Sequence, residues 1–143
     1  MATRSRIAIE NEDGTVTSVY CHNDGYIESG NGETLVMHYR DREKVKQLIA
    51  LGNLSSVSAR VKPQGTIHSF NTPEPGVTVA YHRDRGEDFD QWQHRSVPDF
   101  FNSDIEEYGY LFTQEEEWLV KSGYSDDSDP VPVTYILSRL AEL

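Results

Sequence analysis

The chain has 143 residues, 36% of them apolar, a formal net charge of -11 and a single cysteine. That length suits one domain with one core, and eight Tyr, five Phe and two Trp argue against disorder, because aromatic rings bury large areas. One thiol excludes an internal disulfide, no apolar run approaches a membrane span, and Met1 to Arg6 lacks the apolar segment of a signal peptide, so the expectation is a protein of a reducing cytoplasm.

The charge is uneven. Residues 99–143 hold 11 acidic and 2 basic side chains, whereas residues 1–98 hold 13 and 11. Direct binding to a nucleic-acid backbone is disfavoured, since that requires Lys and Arg against phosphates. An acidic face can instead seek a basic protein surface, or serve only solubility.

In chain order, Ser5 to Glu10 reads as a strand followed by an Asp13-Gly14 turn, a strong hairpin signal. With Asp13 and Gly14 as the central pair, Ile7 faces Tyr20 and Ile9 faces Ser18. Ile7, Ile9, Val16 and Tyr20 then look into the core, while Arg6, Glu10, Thr15 and Thr17 meet water; Ala8, Val19 and Cys21 share that second face, partly covered near Cys21. Asn23-Asp24-Gly25 ends the second strand, with Gly25 expected at positive φ. After the loop 29–32, residues 33–39 read as a helix, and Asp41 caps a second one whose buried stripe is Val45, Leu48 and Ile49 and whose stop is Gly52.

Residues 56–61 and 66–70 read as short strands, and Gly76 to His82 as the most secure internal strand. Residues 86–97 read as a loop with Phe89 and Trp92 tucked against the body, then Pro98 to Phe101 as one helical turn. A second hairpin pairs residues 108–112 with 117–121 and sets Leu111 opposite Trp118. The chain closes, after an acidic loop, in a helix over 131–143. The expected fold is α+β: a single domain over 1–143, a mainly antiparallel sheet with two or three helices on one face, and an acidic C-terminal third.

Two polar bends stand out: Tyr20 to Tyr26, and Tyr81 to Glu87. His22 and Asp24, joined by His38 and His82, are conceivable metal ligands, but no paired ligand spacing exists, so no metal or other cofactor is expected. Cys21 and His22 point to opposite faces of a strand and make a poor nucleophile–base pair; a buried thiol is the expectation. Arg83 and Arg85 flank a Gly turn and could fork a phosphate, yet Asp84, Glu87 and Asp88 balance them, and internal bracing is preferred. Asp104, Glu106, Glu107, Glu115, Glu116, Glu117, Asp126, Asp127 and Asp129 form the candidate acidic partner face.

Ala2-Thr3-Arg4-Ser5, Tyr20-Cys21-His22 with Asp24-Gly25-Tyr26, His38-Tyr39, residues 46–52, and Tyr81 with Arg83-Asp84-Arg85-Gly86-Glu87 together resemble a family of short, uncharacterised bacteriophage-borne proteins. The resemblance covers the first 90 residues well and the acidic remainder poorly; family members carry Trp where this chain has Asn23. It implies a phage accessory protein made inside a bacterial cell, and no reaction.

The leading expectation is therefore a non-enzymatic phage accessory protein that binds, and inhibits, a host protein with a basic surface, in a defence or nucleic-acid-handling system. The alternative is a nucleotide-signal sponge whose pocket is lined by Arg83, Arg85, His22 and Tyr26, with Asp24 a further candidate ligand-binding residue. Last comes a hydrolase pairing His22 or His82 with Asp24 or Asp84.

Overall fold

A computed structural model describes residues 2–65, 67–124 and 129–142. Two hairpins make its centre. β1 (Ser5–Glu10) pairs antiparallel with β2 (Val16–Cys21), and β6 (Tyr108–Phe112) with β7 (Trp118–Ser122). β1 and β6 then run parallel to each other, with Ile7 beside Tyr110 and Ile9 beside Phe112. Beyond β2 come β3 (Leu54–Ser56) and β4 (Val79–Ala80); beyond β7 comes β8 (Val131–Pro132). β5 (Trp92–His94) pairs with β2 at Val16 to Ser18, so β3 and β5 share the outer edge of one strand. Among the described residues the sheet has eight strands and is mixed, since β1–β6 and β2–β3 are parallel. The expectation of a mainly antiparallel sheet is thereby corrected: the helices that follow β2 carry the chain back over the sheet, the crossover that parallel neighbours need.

Both hairpin registers differ by one residue from the sequence reading. Ile7 lies opposite Val19, not Tyr20, and Phe112, not Leu111, lies opposite Trp118. One loop geometry explains both. The Gly14 N–H donates to Asn11 O at 3.0 Å, Asn11 N–H donates to Thr15 O at 2.8 Å, and Gly14 has φ 87°. That is a tight turn followed by one left-handed residue, a three-residue loop with a bulge. In the second hairpin Glu116 N–H donates to Thr113 O and Thr113 N–H to Glu117 O, each at 2.9 Å, with Glu116 at φ 61°. A one-residue slip exchanges the faces of a strand. Val19 and Cys21 therefore join Ile7 and Ile9 in the core, and Arg6, expected in water, lies with Ser18 on the other face, both buried.

The main core forms on the face covered by α1 (Asn31–His38), α2 (Arg42–Ile49) and α5 (Val133–Ala141). Leu35, Val45, Leu48 and Val133 pack there against Ile7, Val19, Tyr110, Phe112 and Trp118. Asp41 caps α2 as expected, its Oδ1 accepting from Glu43 N–H at 3.1 Å. α4 (Val97–Phe101) lies on the opposite face, where Phe100 and Phe101 cover Ala8, Val16 and Leu111. Helices thus flank both faces rather than one.

The strand expected over Gly76 to His82 pairs in the sheet only as β4, after a lone bridge between Val77 and Arg60, and gives way to α3 (Tyr81–Arg85). The Asp84 carboxylate accepts Ala80 N–H at 2.8 Å and turns the backbone into a helical coil, which Gly86 ends at φ 75°. Residues 57–61 and 67–70 are not strands, and Thr66 lies outside the described residues. That stretch is tied instead to the Glu74 carboxylate, which accepts from Gly65 N–H at 2.6 Å, Gln64 N–H at 3.1 Å and Arg60 Nη2 at 2.7 Å. Positive φ falls on Asp24 (58°) and not on Gly25; Gly25 is required because a Cβ there would sit 2.8 Å from Thr3 O.

Candidate functional site

The two polar bends meet at Asn53. Its side-chain Oδ1 accepts Tyr20 N–H at 3.0 Å, and its carbonyl accepts Tyr81 N–H at 3.2 Å. They do not converge into one pocket. In the first bend the phenol of Tyr20 and His22 Nδ1 are 2.7 Å apart, and Tyr26 OH donates to Asp24 Oδ1 at 3.1 Å, so His22 and Asp24 each have another partner. Cys21 is fully buried, and loss of water pushes its thiol pKa up to about 12, against hydrogen bonds from Asn31 and Ser5 that favour the thiolate. A thiol so held is no nucleophile near neutral pH.

In the second bend Arg83 is spent internally. Its Nε and Nη2 grip Asp84 at 2.8 and 3.0 Å, Nη1 donates to Val61 O and Nη2 to Thr78 O, each at 2.6 Å. Arg85 pairs with Glu87 and lies 4.1 Å above the Phe70 ring and 5.0 Å from that of Tyr81. Asp84 holds Arg83 and Ala80 N–H and lies 3.2 Å from His68 Nε2. Burial alone would raise the Asp84 pKa, but these donors lower it, Arg83 foremost. His68 Nδ1 accepts Glu74 N–H at 3.1 Å, while its buried Nε2 lies beside Asp84 without forming a hydrogen bond. His82 Nδ1 bonds Glu87 O at 2.7 Å rather than a carboxylate. None of the four His–Asp combinations weighed for hydrolysis forms, and among the described residues no three His, Cys, Asp or Glu side chains gather as a metal site.

The acidic residues do not make one continuous face. Asp104, Glu106 and Glu107 precede β6; Glu115, Glu116 and Glu117 follow it, at the other end of the hairpin, with β6 about 17 Å long between them. The antiparallel register of β8 on β7 carries Asp129 toward Ser122, again away from the tip. Asp126 and Asp127 lie outside the described residues. Glu107 is 4.0 Å from Arg4, whereas Glu115, Glu116 and Glu117 are all exposed and form no ion pair among the described residues.

The tip trio borders a groove of about 790 Å³ with Val36 and Met37 of α1, Arg40, Trp118 and Thr134 of α5. Met37 is 59% exposed although it lies on a helix that packs on the core. The hairpin is fixed to the body beneath it. Trp118 Nε1 donates to Tyr39 O at 2.8 Å, and Arg42 donates to Thr113 O at 2.7 Å and Glu10 O at 3.0 Å. Gln114 reaches across to Asn11 O at 2.8 Å. Sequence reading found the glutamates but not Met37 and Arg40, which come from a distant part of the chain, nor the place of Trp118, which directly follows Glu117.

A second set missed in the sequence lies on the α4 face. Arg6, only 3% exposed, stacks 3.7 Å over the Trp92 ring, donates from Nε to Ser18 Oγ at 3.1 Å and from Nη2 to Ser18 O at 3.2 Å. Burial pulls its pKa down to about 10, opposed by the more distant Asp90, Glu106 and Asp104. Trp92 and Phe89 are 39% and 48% exposed and so are less tucked in than expected. Compared with protein-family models, curated proteins and solved structures, the chain matches none.

Proposed function

We propose that this chain is a non-enzymatic binding protein that docks against a basic surface of another protein through the β6–β7 tip. The observation that carries this reading is the exposed Glu115-Glu116-Glu117 trio on a rigidly anchored hairpin, beside a groove offering Met37. Carboxylates at the rim speed encounter with a cationic partner, and an apolar floor supplies the contact that holds it. The resemblance to phage-borne proteins makes a bacterial host protein the expected partner, with inhibition as the expected result. The nucleotide-sponge alternative is weakened by the commitment of Arg83 and Arg85 to internal partners.

The test is capture from bacterial host lysate, followed by measurement of the captured protein's affinity at two salt concentrations. Replacing all three tip glutamates with Lys should weaken binding about tenfold or more and remove its salt dependence, whereas Asp104→Lys with Glu106→Lys should leave it unchanged. Equal binding by the tip variant, or no captured protein at all, rejects the proposal.

A further inference from the structure

Arg6, Ser18 and His94 form a buried polar chain that links three strands. Ser18 Oγ accepts the Arg6 Nε–H at 3.1 Å and lies 2.8 Å from His94 Nε2. Arg6 has only donors, so the Ser18 hydroxyl can give its hydrogen to His94 Nε2 in the neutral tautomer whose proton sits on Nδ1. The imidazole is 8% exposed and stands edge-on to Phe100, with ring centres 5.1 Å apart, and to Trp92, at 6.4 Å. Two groups of opposite effect face it: Arg6 from β1, which opposes a second positive charge, and Asp99 from α4, which favours one. Asp99 already accepts Arg95 N–H at 2.9 Å, and Arg6 makes no ion pair among the described residues. β5 meets the sheet through three residue pairs, and α4 follows it directly.

We propose that Ser18, Arg6 and His94 form a proton-operated latch, closed over the sheet while His94 is neutral and released with β5 and α4 when it is protonated. Release would uncover Ala8, Val16 and Leu111, the apolar floor now beneath Phe100 and Phe101. Burial first, and Arg6 second, lower the His94 pKa in the closed form. The sign follows from linkage: the open form binds the proton more readily, so closure weakens as pH falls through about 6.5 and the whole loss is reached below the closed-state pKa.

The experiment is amide hydrogen exchange on the full chain between about pH 8 and pH 5, with protection factors taken residue by residue and the His94 ring followed by NMR. Protection of Trp92 to His94 should fall as the ring titrates, by about tenfold for each unit separating the closed and open pKa values, while β6 and β7 keep theirs. The His94→Gln variant should show no such pH dependence. Constant protection of β5 across the range in the wild-type chain, loss of protection in β5 and β6–β7 together, or unchanged pH dependence in His94→Gln would each overturn the latch. The wild-type measurement decides the matter even if the variant fails to fold.

Discussion

The two hairpins use the same loop and put it to different ends. In the first, the left-handed position is Gly14, where positive φ costs nothing, and Asp13 secures the turn by accepting from the Thr15 hydroxyl at 2.6 Å. In the second the same position is Glu116, a residue with a Cβ and a charge, flanked by two more carboxylates. Isolated, such a turn is strained by about 1–2 kcal/mol. Here the surrounding structure compensates through Trp118, Arg42 and Gln114. One tip is built for closure; the other keeps an acidic sequence that closure does not explain.

Breaking the anchors should separate the hairpins most sharply. Trp118→Ala removes a 5% exposed indole that packs on Phe112, and should lower unfolding free energy by about 3–5 kcal/mol in denaturant titration. Arg42→Ala leaves the carbonyls of Glu10 and Thr113 without their shared donor and should lower it by about 2 kcal/mol, loosening both tips at once in amide exchange. The smallest pair is the most diagnostic. Gly14→Ala should destabilise by about 1 kcal/mol, whereas Glu116→Gly should stabilise by a few tenths to about 1 kcal/mol, since relief of strain outweighs the added freedom of the unfolded chain. Equal signs for these two substitutions would mean that the loops are not equivalent.

Much of the fold was legible where the determinants are local. The Asp41 cap, the Val45, Leu48 and Ile49 stripe of α2 and the limits of β1 and β6 all follow from neighbours in sequence. Loop length was not legible: Asp13-Gly14 suggests a two-residue turn, and only the bond from Gly14 N–H to Asn11 O reveals the bulge that turned Val19 and Cys21 into the core. β5 was illegible for a different reason. Gln93 meets Thr17 across 76 residues, and nothing in its own polar segment announces that partner. The same holds for the site: the glutamate run is plain in the sequence, but its groove is assembled from α1, α5 and β7.

The parallel pairing of β1 with β6 has a consequence for synthesis. Ser5 finds Tyr108 only after the whole stretch between them has left the ribosome. Until then the innermost strand of the finished sheet has one bare flank, with Ile7 and Ile9 lacking Tyr110 and Phe112 as neighbours. Nascent chains stalled before residue 108 should therefore be sticky and slow to mature, and the late-arriving acidic third decides when the N-terminal hairpin becomes secure.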